Sequence, residues 1–235
     1  MKTELTAEEK ERYNKMAALP EMGEQALRTL KQSSVLIVGA GGLGSAVIPS
    51  LAASGVGHLG IVEFDVVSAS NLQRQLLYTP GEIEQKKIHI ATKRVQQLHP
   101  EIHLTTYDER LDESNAEKLI GSYQLIVDCT DNFHTRYLIN DTCAGLSKPL
   151  VYGSVGDYDG MVTLLHHQKK INLRDIFPEP PENPVETGII PTLPQIVGSV
   201  QANEVLKTLT GAGDNLDGKL LTLNILTNSI QLLNI

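Results

Sequence analysis

The chain has 235 residues, 41% hydrophobic and 20% charged, ordinary values for a globular protein able to bury a sizeable core. Acidic residues outnumber basic ones 28 to 20, and the resulting net charge of −8 repels polyphosphate chains and excludes nucleic acid as the main partner. No signal-like or membrane-length apolar run occurs and the cysteines are two, Cys129 and Cys143, so a cytoplasmic protein without membrane contact, four-cysteine zinc site or disulfide scaffold is expected.

Residues 8–18 and 24–32 read as two polar-faced helices. Residues 34–39 form a continuous apolar run ending in glycines, the pattern of a strand buried on both faces of a parallel sheet. A helix over 43–54 and a second strand over 58–64 follow. Apolar periodicity predicts a helix over 83–98, alternation a strand over 101–107, and 114–120 a short helix. A buried strand over 123–128, a helix over 132–146 and a strand over 149–153 complete the alternation. The order implies an α/β, Rossmann-like fold: a mostly parallel sheet with helices on both faces. Beyond a strand over 160–166, six prolines between Pro178 and Pro194 rule out regular structure and predict a long irregular loop. A helix over 195–210 and a hairpin of 219–226 with 229–235, turned at Thr227 and Asn228, close the chain. The expected organisation is one domain over 1–235. It comprises N-terminal helices (1–33), a nucleotide-binding core (34–153), and a crossover loop, helix and antiparallel C-terminal strands (154–235).

Gly39, Ala40, Gly41, Gly42, Leu43 and Gly44 match G-x-G-x-x-G between a predicted strand and a predicted helix. Gly39 permits the tight turn, Gly41 lets backbone N–H groups approach phosphates, and Gly44 allows close helix–strand packing. Phosphates then sit on a helix N-terminus, where unpaired N–H groups and the dipole favour negative charge. Glu63, at the end of the second strand, is placed to accept hydrogen bonds from ribose hydroxyls. The motif alone does not separate ATP from NAD or FAD.

The residues after Glu63 favour a triphosphate. Asn71, Leu72, Gln73, Arg74 and Gln75 follow the second strand, and Lys87 comes soon after. Two cations there suit a leaving pyrophosphate, whose charge must be neutralised in the transition state. Asp131 lies just beyond the strand over 123–128, at the carboxyl edge of the sheet, where a carboxylate can hold Mg2+ through oxygen ligands. A dehydrogenase is disfavoured because 235 residues leave no separate catalytic domain.

The run from Val38 to Gln75, followed by Asp128, Cys129, Thr130, Asp131 and Asn132 and by residues 149–153, resembles the bacterial ThiF/MoeB/HesA family, relatives of the ubiquitin-activating enzymes. Arg12, Tyr13 and Asn14 near the start, and residues 198–211 near the end, extend the resemblance over nearly the whole chain. The resemblance implies an ATP- and Mg2+-dependent adenylyltransferase acting on the C-terminal glycine of a small ubiquitin-like sulfur carrier, ThiS-like or MoaD-like, ending in Gly-Gly. By position, Gly39, Gly41, Gly42 and Gly44 cradle phosphates, and Glu63 and Asp65 border the ribose. Arg74 and Lys87 contact the phosphates, Asn71 and Gln75 order them, and Asp131 coordinates Mg2+. The family is usually homodimeric, with a basic N-terminal residue reaching into the partner's site; here that position is Lys15, which keeps the charge but loses the bidentate fork of arginine.

Two further departures qualify the resemblance. The C-x-x-C pairs that bind structural zinc in relatives are missing, so no zinc is expected. Pro184 stands where relatives that form a covalent thiol adduct place a cysteine, which makes adenylation alone the expected chemistry. An enzyme of the same superfamily that adenylates a ribosomal peptide, and a non-catalytic nucleotide-binding scaffold, are the alternatives. The buried positions expected for Cys129 and Cys143 suit packing. His166 and His167, adjacent on a strand, would point to opposite faces and are read as core or surface residues. Segment 169–194 is expected to order over the carrier's tail and exclude water.

Overall fold

The computed structural model describes residues 4–179 and 188–235. It begins with α1 (Ala7–Arg12), α2 (Asn14–Ala17) and α3 (Gly23–Gln32). Thr6 and Glu9 form a reciprocal capping box that starts α1. The expected first helix over 8–18 is split at Tyr13, whose backbone leaves helical geometry while its ring is buried.

The core alternates as expected: β1 (Ser34–Val38), α4 (Gly44–Ala53), β2 (His58–Val62), α5 (Lys87–Leu98), β3 (His103–Tyr107), α6 (Ala116–Gly121), β4 (Leu125–Asp128), α7 (Phe133–Leu146) and β5 (Leu150–Gly156). Then come β6 (Asp159–Leu165), α8 (Leu173–Ile176), α9 (Leu193–Thr210), β7 (Lys219–Asn224) and β8 (Ser229–Asn234). One eight-stranded sheet runs β3-β2-β1-β4-β5-β6-β7-β8. Strands β1 to β5 pair in parallel, and β5 to β8 pair antiparallel.

Strand alternation divides the core. Val35, Ile37, Leu59, Ile61, Leu125 and Val127 pack with Leu30 of α3, Val47 and Leu51 of α4, Ile88 and Val95 of α5 and Val197 of α9. Leu36, Val38, Val62, Ile126 and Leu150 point the other way, against Leu119 and Ile120 of α6 and Ile139 and Cys143 of α7. A sheet covered on both faces needs such unbroken apolar strands, each fully buried Leu or Ile contributing about 1.5–3 kcal/mol.

One boundary departs from expectation. The helix read over 83–98 begins only at Lys87. Residues 80–82 form a short 3-10 turn capped by Thr79 and Glu82. The next residues are drawn into a bridge instead: Glu84 donates to the Val67 carbonyl, Val67 donates to that of Gln85, and Glu84 takes φ 69°. Tertiary pairing overrides the helical pattern there. Among the described residues no helix is long and apolar enough to cross a membrane.

Candidate functional site

The strand order reverses between β1 and β4, because the chain passes from β1 to β2 and β3 on one side and later returns to β4 on the other. Ligands of doubly wound sheets bind in the crevice at the carboxyl ends of such strands. A cavity of about 690 Å³ opens there, lined by Gly39, Gly41 and Gly42 after β1, Glu63 and Asp65 after β2, and Thr130 and Asp131 after β4.

The glycine turn is built for close approach. Gly39 has φ +97°, and a Cβ there would stand 2.8 Å from the Cys129 carbonyl oxygen. A Cβ at Gly44 would collide with the Gly39 carbonyl. Tyr78 donates its hydroxyl hydrogen to the Ala40 carbonyl at 2.7 Å, and Glu63 accepts the Ala40 N–H at 2.8 Å. Among the described residues, no protein acceptor takes the N–H groups of Gly41, Gly42 or Leu43. These donors stand at the N-terminus of α4, an arrangement that binds anions.

Glu63 is buried, and its other oxygen accepts the N–H groups of Phe64 and Asp65 at 2.8 and 2.9 Å. It anchors the turn, whereas the more exposed Asp65 carboxylate meets Lys87 Nζ at 2.6 Å. Burial alone would raise the Asp65 pKa. The hydrogen bond from Lys87, the Val66 N–H and the charges of Lys87 and Lys86 outweigh that and hold the carboxyl below its usual range. Lys87 is itself nearly buried, at the first position of α5.

Arg74 lines the cavity and donates Nη1 to the Ser70 carbonyl at 3.0 Å; among the described residues no carboxylate pairs with it. Gln75 is buried, its Oε1 has no partner among the described residues, and it borders the same space. Asn71 accepts the Ser68 N–H and closes a 3-10 turn instead of lining the cavity. Lys15 is exposed on α2 and does not line the cavity of its own chain. Asp131 is exposed at the cavity wall.

Several residues to which the sequence motifs assigned no role also shape the site. Asp128 is fully buried: Oδ1 accepts the N–H and hydroxyl of Thr130 at 2.8 and 2.6 Å, while Oδ2 has no partner among the described residues. Burial raises its pKa, opposed but not reversed by Arg136 and Thr130. Arg136, on the first turn of α7, donates to the Thr130 carbonyl at 3.0 Å and so braces the turn carrying Asp131. Its position four residues after Asn132, directly beyond a strand edge, was the available signal. The Arg110 guanidinium lies 4.1 Å from the Phe64 ring centre at the cavity wall. Gln195, near the start of α9, donates to the Arg74 carbonyl at 2.9 Å and ties that helix to the site.

Cys129 and Cys143 are buried and free, and burial lifts both thiols above their ordinary pKa. His166 is buried with Nε2 2.9 Å from Asn140 Oδ1. Among the described residues no group of three or more His, Cys, Asp or Glu gathers as a metal cluster. Pro184 lies outside the described residues. At the far end of the proline-rich segment, Ile189 and Pro194 line the cavity, and Gly188 accepts the Asp157 N–H at 2.8 Å.

Known proteins match this chain along its length. A sulfur carrier protein adenylyltransferase of Thermus thermophilus is 42% identical over 240 residues, covering 98% of this chain and 89% of that protein. A probable molybdopterin-synthase adenylyltransferase of Porphyra purpurea is 40% identical over 235 residues and covers 97% of the chain. The probable adenylyltransferase/sulfurtransferase MoeZ of Mycobacterium tuberculosis is 38% identical over 240 residues and covers 98%. The chain spans 62% and 61% of the length of these last two relatives. Among solved structures, PaaA superposes with a TM-score of 0.82 at 24% identity, covering 100% of this chain and 76% of that one. Escherichia coli MccB with ATP gives 0.79 at 18% identity, covering 90% and 65%. Both likenesses show the fold. The ThiF family pattern matches residues 13–235, and the chain belongs to the ThiF family.

Proposed function

We propose that the chain is an ATP-dependent adenylyltransferase that activates the C-terminal glycine carboxylate of a small ubiquitin-like sulfur carrier as an acyl-adenylate. The observation that carries this reading is one cavity at the switch point that holds Arg74, Lys87 and Asp131 together with the free N–H groups of Gly41, Gly42 and Leu43. In the reaction a carboxylate oxygen of the carrier bonds to the α-phosphorus of ATP. The bond from that phosphorus to the bridging oxygen breaks, and pyrophosphate departs with the electron pair.

This chain's residues serve each demand of that step. The N-terminus of α4 and the cations Arg74 and Lys87 neutralise the phosphates as charge builds on the leaving group. Asp65 and Glu63 border the ribose, and Gln75 offers an unpartnered oxygen at the same wall. Mg2+ fits this site: it takes one or two carboxylates plus substrate phosphates, and Asp131 is an exposed carboxylate with no protein partner among the described residues. Bound there, the ion would supply further charge neutralisation. Lys15 would act across a homodimer; of the segment expected to cover the carrier's tail, residues 180–187 lie outside the described residues.

The Thermus relative and the Porphyra relative match almost equally well under names that point to different carriers. The carrier is therefore specified by its chemistry, a flexible tail ending in Gly-Gly. The likeness to MccB is one of fold and does not favour a peptide substrate. The test is exchange of labelled pyrophosphate into ATP. Exchange that requires an added ThiS-like or MoaD-like carrier supports the reading; ATP binding without exchange, whichever carrier is added, overturns it.

A further inference from the structure

A second cavity of about 330 Å³ lies beneath the N-terminal helices and shares no lining residue with the nucleotide cavity. Its volume is at the lower end of those that enclose small molecules. Two polar atoms in its wall, the Tyr13 hydroxyl and His99 Nδ1, are buried with no partner among the described residues. Tyr13 is only 7% exposed. Its ring packs on Gly55, where φ is +84° and a Cβ would stand 2.8 Å from the ring. Leaving such a group unpaired costs about 1–3 kcal/mol, a cost that an occupant with matching polar groups would remove.

The electrostatics favour a positive occupant. Glu4, Glu9 and Glu101 line the cavity; among the described residues the cations beside it are Lys31, which Glu9 already holds at 2.7 Å, and Arg12, whose guanidinium lies 6.0 Å from the Tyr13 ring centre. Ser54 and His99, the C-caps of α4 and α5, also line it, so the negative ends of two helix dipoles meet here. One internal cation is already drawn to this end of α5: Arg12 donates to the Leu98 carbonyl. Leu5, Leu27 and Ile102 supply an apolar wall.

We propose that this cavity binds a small organic cation with an apolar body, an alkyl- or arylalkylammonium compound. Its ammonium group is held by Glu9 and Glu101, it donates to His99 Nδ1 and Tyr13 Oη, and its hydrocarbon body lies on Leu5, Leu27 and Ile102.

The experiment is calorimetric titration of the whole chain at pH 7 with phenethylamine, 2-phenylethanol and phenylacetate. These share one body and differ in the charge of the head. The amine saturates a single site, the alcohol binds at least about tenfold more weakly, and phenylacetate does not bind. A variant carrying Glu101→Gln and Tyr13→Phe loses at least about tenfold in affinity for the amine. Glu101 makes no hydrogen bond or ion pair among the described residues and the Tyr13 hydroxyl has no partner, so the variant keeps its melting temperature. Saturating ATP leaves amine binding unchanged. The proposal is overturned if the amine does not saturate, if the alcohol or acid binds as well, if ATP displaces the amine, or if the folded variant binds it undiminished.

Discussion

Replacing Lys87 by methionine separates catalysis from stability. Lys87 Nζ stands 2.6 Å from Asp65 Oδ2, but the Asp65 side chain is half exposed, so losing the pair lets that carboxylate rehydrate at a cost of about 0–1 kcal/mol. Lys87 also occupies the first position of α5, where a positive charge opposes the helix dipole by about 0.3–1 kcal/mol. The two terms have opposite sign, and methionine keeps the buried hydrocarbon stem. The net change in stability is within about 1 kcal/mol, a shift of roughly 2–4 °C in melting temperature for a chain of this size. The loss in exchange is far larger, because a preorganised donor at developing charge is worth about 2.7–4 kcal/mol, or 10²–10³ in rate. The assay is carrier-dependent pyrophosphate exchange alongside calorimetric melting. Exchange within a few-fold of wild type would refute the role of Lys87, and a fall of more than about 10 °C would refute the stability reasoning.

Three further outcomes are expected. Asp131→Asn keeps the fold but raises the Mg2+ concentration needed for half-maximal exchange by at least about tenfold, read from a metal titration. Gly44→Ala destabilises by about 2 kcal/mol in urea unfolding, because the new Cβ meets the Gly39 carbonyl and the gain in helix propensity offsets only part of the overpacking. His58, His99 and His166 all have pKa values lowered by burial. The unfolded chain therefore binds more protons below the ordinary histidine pKa, and stability falls as pH drops from about 6.5 towards 5. His166→Asn, suited to the local φ of 55°, makes that fall shallower in melting curves taken across the range.

Where one physical cause controlled the outcome, the sequence was readable. Strands buried on both faces must be continuously apolar, so 34–39 and 123–128 announce β1 and β4. A glycine turn between strand and helix has few other uses, so Gly39 to Gly44 locate the cavity. Asn132 starts its helix as a side-chain cap. The late start of α5 was not legible, because it depends on a bridge between Val66 and Lys86 that local periodicity does not encode. Arg136 and Gln195 were missed for a similar reason. Gln195 looks like an ordinary helix residue until the sheet brings its helix start to the carboxyl edges of β1 and β4, and Arg136 is marked in sequence only by its distance from Asn132. Glu63 was read as a ribose ligand from its place at a strand end, but its three backbone amide partners are invisible in sequence and give it a structural duty as well.

A crystal structure of the protein with Mg2+ and a non-hydrolysable ATP analogue is the decisive measurement. Arg74 and Lys87 should both contact phosphate oxygens, with Asp131 on the metal and the N–H groups of Gly41, Gly42 and Leu43 directed at the phosphates. A triphosphate bound elsewhere, or one from which those three side chains turn away, would contradict the assignment of this cavity as the site of adenylation.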